Sequence, residues 1–157
     1  MKIVIGEMRP EHLAQVAAIE KESFTTPWSR EAFDYELTQN DFAIYLVALN
    51  GEQVAGYAGL WLILDEAHVT NVAVHAAFRG RGLGMMLMLE LMRRAALAGA
   101  ARMTLEVRAS NHTARRLYER LGFKERGRRR GYYTDTNEDA LIMWHDQLFP
   151  WEGGEVT

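Results

Sequence analysis

Asn71-Val72-Ala73-Val74-His75-Ala76-Ala77-Phe78-Arg79-Gly80-Arg81-Gly82-Leu83-Gly84-Met85-Met86 is the stretch on which the fold turns. An apolar run ends at Val74, and a loop of arginines and glycines follows at Arg79–Gly84. A helix-forming segment then continues to about Ala98, where Gly99 stops it. Strand, glycine loop, long helix is the beginning of a crossover unit, so the next strand is expected parallel to the one ending at Val74.

Upstream, Ala67–Val74 returns across Asp65-Glu66 from Gln53–Leu64, which faces Phe42–Leu49 across Asn50-Gly51, a hairpin signal. Before this meander, Ile3–Glu7 reads as a strand. Arg9-Pro10-Glu11 opens a helix with Leu13, Val16 and Ala17 on one face, with Ile19 or Glu20 continuing it, and Thr26-Pro27-Trp28-Ser29 breaks it. Ser29 caps a second helix, Arg30–Leu37.

Downstream, Arg102–Val107 reads as the strand after the crossover, and Asn111 opens a helix that ends at Gly122. Phe123–Tyr133 and Asp139–Leu148 close the chain around Thr134–Glu138. The order βααβββαβαββ specifies an α/β fold, a mixed sheet with helices on both faces. No repeat or linker divides it, which gives one domain over residues 1–149 and a tail over 150–157.

The composition of the 157 residues, 48% hydrophobic and 25% charged, suits one globular core. The lack of cysteine removes disulfides, thiolate nucleophiles and thiolate metal sites, and fits a reducing compartment. A formal charge of −3 gives no general attraction for nucleic acid, and no apolar run reaches membrane-spanning length. The opening MKIVIGEMRP is too short and polar for a signal peptide. The five histidines lack metal-ligand spacing. A cytoplasmic monomer with no metal, no DNA partner and no membrane association is expected. The run Arg128–Arg130 reads as a solvated basic face, with an RNA contact as the second reading.

At the loop, Gly82 and Gly84 let the backbone approach a ligand, and the helix start offers unpaired N–H groups beside Arg79 and Arg81. That chemistry suits a phosphate or diphosphate. A nucleotide P-loop would need Gly-Lys-Ser/Thr, whereas Gly84 is followed by Met85-Met86. The dinucleotide fingerprint would need a different glycine spacing. A plain tight turn is the alternative.

Arg79-Gly80-Arg81-Gly82-Leu83-Gly84 resembles the pyrophosphate loop of the GNAT acetyltransferase superfamily, Gln/Arg-x-x-Gly-x-Gly/Ala, and Asn71–Val74 resembles its bulged strand. Leu105-Glu106-Val107-Arg108-Ala109-Ser110-Asn111, Leu117-Tyr118-Glu119-Arg120-Leu121-Gly122-Phe123, Pro27-Trp28-Ser29 and Arg129-Arg130-Gly131-Tyr132-Tyr133 extend the likeness to the RimI type. That type acetylates the N-terminal alanine of a small-subunit ribosomal protein. The resemblance covers roughly Val4 to Gln147. It departs at His75-Ala76, where the family often has Asp-Pro.

The resemblance implies the GNAT fold and acetyl-CoA as cosubstrate. It implies that Val72, Ala73 and Val74 hold the acetyl carbonyl and pantetheine, that Arg79, Gly80, Arg81, Gly82, Leu83, Gly84 and Met85 hold the diphosphate, and that Asn111 adds a contact. A backbone N–H freed by a bulge near Ala73–Val74 would serve the oxyanion.

Acetyl transfer needs a base for the amine and an acid for the departing thiolate. Glu106 at a strand end is the expected base, acting through a water, with burial lifting its basicity. Taken alone it reads equally as a solvated or ion-paired glutamate. Tyr118 is the expected acid; taken alone it is a half-buried helix tyrosine. Trp28, Tyr35, Trp61 and Tyr133 are expected around the acceptor, with an attracting carboxylate in Asp135–Asp139.

An α-amine, with a pKa near 8, is cheaper to neutralise than lysine near 10.4 by about 3 kcal/mol, which favours a protein N-terminus. An internal lysine, a polyamine, a drug amine, and a CoA-binding module without turnover are the alternatives.

Overall fold

The computed structural model describes residues 2–148. Met1 and residues 149–157, including the expected tail, lie outside the described residues. The elements are β1 (Ile3–Glu7), α1 (Leu13–Ser23), α2 (Arg30–Thr38), β2 (Ala43–Asn50), β3 (Gln53–Ile63), β4 (Glu66–Val74), α3 (Leu83–Leu97), β5 (Arg102–Arg108), α4 (His112–Arg120), β6 (Lys124–Tyr133) and β7 (Glu138–His145). This is the expected order. Boundaries move by one to three residues, and a short 3₁₀ turn at Ala76–Phe78 precedes the glycine loop.

One seven-stranded sheet runs β1-β2-β3-β4-β5-β7-β6. Its neighbours are antiparallel except β4 and β5, the pair joined by the α3 crossover. Each face carries its own core. Leu87, Met88 and Leu91 of α3 pack with Leu46, Leu60 and Met103 on one side. On the other, Leu13 and Val16 of α1 and Phe33 of α2 pack with Tyr45, Val47 and Tyr57. Alternation along β2 feeds both, with Leu46 and Ala48 to the α3 side and Tyr45 and Val47 to the α1 side. Each large side chain fully buried in this way contributes roughly 1.5–3 kcal/mol.

Two features of β4 shape the site. First, Gly59 pairs with Asn71 and Leu60 with Val69, which leaves Thr70 as an extra, bulged residue. Tyr45 fixes the bulge, its hydroxyl 2.7 Å from Thr70 Oγ1. Gly59 makes room for that tyrosine: a Cβ there would lie 2.0 Å from Tyr45 Cε1. Second, β4 and β5 keep register only over Glu66–Arg102, Ala67–Met103 and His68–Thr104. Beyond the bulge the two strands part, β4 running on to Val74 and β5 to Arg108.

His75 explains the sequence departure before the loop. Its Nδ1 accepts from the Ala77 N–H at 3.0 Å and caps the 3₁₀ turn, a task an aspartate performs equally well.

Gly59→Ala should destabilise the protein by about 2 kcal/mol through overpacking, lowering the melting temperature by roughly 4–8 °C. Thermal denaturation checks this. The loss should shrink in a Tyr45→Ala background, because both changes address one contact.

Candidate active site

The parting of β4 and β5 leaves one edge of each strand open. His75 N–H donates to the Ala55 carbonyl of β3 at 2.8 Å, and Ala73 lies opposite Tyr57. By alternation the amides of Val72 and Val74 point the other way, into the opening. The Val74 carbonyl, also on that side, accepts from Arg79 Nε at 3.1 Å. The bulge expected at Ala73–Val74 sits instead at Thr70. The free donors at Val72 and Val74 come from the lost partner strand, while Ala73 faces β3.

At the mouth of the opening, Gly80 and Gly82 take φ of 78° and 79°, and Gly82 is the N-cap of α3. Residues with a Cβ rarely adopt that conformation. The first bond back to Gly82 comes from Met86 N–H at 3.1 Å, so the amides of Leu83, Gly84 and Met85 have no partner within the helix. A Cβ on Gly80 or Gly82 would meet nothing within 4 Å, so the loop is open to a ligand. Arg79 is turned toward the strand end, and Arg81 lies 5.8 Å from the Phe78 ring centroid. Free amides, positive charge and open space fit a diphosphate.

Gly84 has a further use: a Cβ there would come within 3.3 Å of Leu117, so the start of α3 lies against α4. Asn111 caps α4, its Oδ1 accepting from Ala114 N–H at 3.2 Å. Tyr118, next after Leu117, is buried in the α3-side core. Among the described residues its hydroxyl has no hydrogen-bond partner. Burial, and secondarily Tyr133, push its pKa up to about 12.

Glu106 stands on the opposite face. Leu105 and Val107 belong to the α3-side core, while Arg108 reaches Thr25 in the α1–α2 loop, so Glu106 projects to the α1 and α2 side. The burial expected for Glu106 is absent. It is solvent-accessible, and its Oε1 pairs with Arg129 Nε at 2.8 Å. Tyr133 links the two catalytic candidates. Burial, and then the Glu106 charge, hold its pKa above the ordinary phenol value, and its own charge acts in turn on Tyr118.

Around the acceptor face, Trp28 packs 6.3 Å from Trp61 and 5.4 Å from Phe33, ring to ring. Trp61 Nε1 donates to Glu36 at 3.0 Å. Tyr35 is 60% exposed on α2 and has no ring contact with this cluster. Asp135 and Glu138, expected to attract the acceptor, both face Arg108, at 2.9 and 3.7 Å.

The uncompensated carboxylates lie elsewhere. Glu20, 2% exposed, accepts from Tyr57 hydroxyl at 2.7 Å, Trp28 N–H at 3.0 Å and Asn71 Nδ2 at 3.3 Å. Glu36, also buried, accepts from Asn40 Nδ2 and Trp61. Neither has a cationic partner among the described residues. The signal for Glu20 was its helical spacing from Leu13 and Val16, which puts a carboxylate on the apolar face of α1. Among the described residues no cluster of three metal-ligating side chains occurs, and no helix is long and apolar enough to cross a membrane.

Residues 13–123 match the acetyltransferase (GNAT) family. A Bacillus subtilis chain named as a candidate ribosomal protein bS18-alanine N-acetyltransferase is 43% identical over 143 residues, covering 91% of this chain and 95% of its own. The Escherichia coli ribosomal protein bS18-alanine N-acetyltransferase is 36% identical over 150 residues, covering 88% and 94%. A crystal structure of the Escherichia coli ribosomal-protein-alanine N-acetyltransferase matches with a TM-score of 0.86 at 33% identity, over 98% of this chain and 99% of that one.

The raised phenol predicts alkaline instability. Tyr118 holds its proton to about pH 12 when folded and to about pH 10 when unfolded. Its contribution is therefore complete below pH 10 and is lost as pH rises toward 12, on the order of 3 kcal/mol. Buried Tyr45 and Tyr57 shift in the same direction. Urea midpoints measured from pH 9 to 11.5 should fall, and less steeply in Tyr118→Phe.

Proposed function

This chain belongs to the acetyltransferase (GNAT) family, and on that premise we propose that it transfers acetyl from acetyl-CoA to the α-amino group of an N-terminal alanine on a ribosomal protein. One observation carries this reading: β4 and β5 part, with Glu106 on the acceptor face of the gap and Tyr118 on the other. The relatives named for bS18 alanine support the choice of acceptor.

Acetyl-CoA fits the site as two functions in one line. Its diphosphate meets the amides of Leu83–Met85 with Arg79 and Arg81, and its thioester reaches along the gap beside β4. The Val74 amide, with Val72 behind it, donates to the carbonyl oxygen as charge develops there.

Glu106 removes the amine proton through a water. Arg129 stands at that carboxylate first. Its side chain is 56% exposed, and exposed ion pairs are worth about 0–1 kcal/mol, so a cationic acceptor displaces it at small cost. The neutral amine attacks the carbonyl carbon, the adduct's nitrogen gives its extra proton to solvent, the C–S bond breaks, and the thiolate leaves toward Tyr118. A free thiol has a pKa of about 8.5, so full proton transfer from a phenol near 12 is uphill by about 5 kcal/mol. Tyr118 therefore stabilises the departing sulfur mainly as a hydrogen-bond donor, and solvent completes its protonation.

The cysteine-free composition fits work in the cytoplasm, and one chain supplies every group named here, which supports action as a monomer.

Glu106→Gln and Tyr118→Phe should each lower kcat about a hundredfold with acetyl-CoA affinity preserved. The measurement is thiol release with peptides beginning in alanine, set against the same peptides N-terminally capped. Equal rates on capped and free peptides would remove the N-terminal acceptor, and wild-type turnover in both variants would remove the acid–base assignment.

A further inference from the structure

Arg108 ends β5 two residues beyond Glu106, on the same face of the sheet. Its guanidinium joins two segments, the α1–α2 loop and the β6–β7 hairpin, which also meet through a hydrogen bond between Thr25 and Asp135. From the β6–β7 hairpin, Asp135 accepts from Nη1 and Nη2 at 3.0 and 2.9 Å, and Thr136 Oγ1 accepts at 3.2 Å. From the α1–α2 loop, Thr25 Oγ1 accepts from Nη2 at 3.3 Å. The guanidinium also lies 4.0 Å from the centroid of the Tyr133 ring, and Glu138 sits 3.7 Å away. Both segments flank Glu106: the loop carries Trp28, and the hairpin carries Tyr133.

We propose that Arg108 is a specificity-determining strap, which fixes the spacing between the α1–α2 loop and the β6–β7 hairpin and thereby sets the size of the first acceptor residue. The proposal rests on the N-terminal acceptor reading above. A flat guanidinium that gives Asp135 two parallel bonds and reaches the Thr136 and Thr25 hydroxyls from the same two nitrogens holds three partners in fixed geometry, which an ammonium cannot do. Walls locked in this way exclude side chains larger than alanine by clash. Walls released from each other yield to them and hold the small acceptor less well.

Two observations separate this from a structural salt bridge. The Thr25 hydroxyl is shared: it meets Arg108 Nη2 and also hydrogen-bonds Asp135, so the loop is brought across to the guanidinium and its carboxylate together. In addition, Trp28 is itself tied from the other side, its N–H held by buried Glu20. The loop is thus pinned at both ends of its wall, once to the core and once to the hairpin.

The test uses the full chain with Arg108→Lys, which keeps the charge but loses the fork, and Thr25→Val, which removes the loop hydroxyl from both Arg108 and Asp135. Steady-state thiol release is measured with peptides beginning in Ala and in Leu, alongside hydrogen exchange of residues 24–29. Both variants should raise KM for the Ala peptide and lower the Ala-to-Leu ratio of kcat/KM by about tenfold. KM for acetyl-CoA should stay constant and exchange in the loop should accelerate. The double variant should add little to either single one.

An unchanged ratio and unchanged exchange in Arg108→Lys would overturn the strap. So would an effect of Arg108→Lys that Thr25→Val does not share, since that marks support of the hairpin alone. If the unmodified enzyme acetylates no free peptide N-terminus, the acceptor reading fails instead, and loop exchange in the two variants still decides whether the strap exists.

Discussion

Two parallel strands that start in register at Glu66 and Arg102 and finish apart at Val74 and Arg108 impose the chemistry on this fold. A backbone N–H without a partner is costly where water is excluded, so an open strand edge inside a sheet needs an occupant. The geometry directs that cost to one place. The bulge at Thr70 bends β4 away, Tyr45 and the missing side chain of Gly59 hold the bulge, and β7 retains β5 along its far edge from Met103 to Arg108. The gap is therefore stiff on both sides, and the amides of Val72 and Val74 are aimed before any substrate arrives. Preorganised donors of this kind lower a barrier more than flexible ones, because nothing has to reorient as charge appears.

Electrostatics sort the two substrates by face, although the formal net charge of −3 says little. The α3 end gathers Arg79, Arg81 and the positive pole of a fifteen-residue helix, an environment for phosphate. The α1 and α2 side holds Glu20 and Glu36, each satisfied by neutral donors and neither by a cation among the described residues. Three donors compensate the Glu20 carboxylate locally without cancelling its field. The two faces therefore differ in fixed charge, and the gap between β4 and β5 is where they meet. Asp135 and Glu138, by contrast, face Arg108; its hydrogen bonds hold the Asp135 carboxyl below the usual range, while that of Glu138 is held low first by the Ser110 hydroxyl, then by the Ser110 backbone N–H, with Arg108 adding least.

Much of this was legible in the sequence because it depends on local patterns. Glycine at positive φ, a serine cap, Asn-Gly in a hairpin and apolar alternation each carry their meaning within a few residues, and the element order follows from them. The diphosphate loop was readable for the same reason. The environment of Glu106 was not, because it depends on Arg129 from a strand more than twenty residues on, arriving only when β6 pairs at the sheet edge. The bulge was misplaced by a few residues, since register is set by the pairing of Gly59 with Asn71 and Leu60 with Val69, a relation between strands. The task of Arg108 is not legible within its motif, because its partners Thr25 and Asp135 lie on two distant segments.

The placement of Tyr118 shows how a small residue can bear on a side chain one position beyond the one it touches. Gly84 lets Leu117 come within van der Waals reach of the start of α3, and the helical turn carrying Leu117 carries Tyr118 with it. A Cβ at Gly84 would press on Leu117 Cδ2 at 3.3 Å, so the glycine sets how closely that side chain seats against the start of α3. The first turn of α3 thus carries both the amides that open onto the loop and the contact that seats α4 against it.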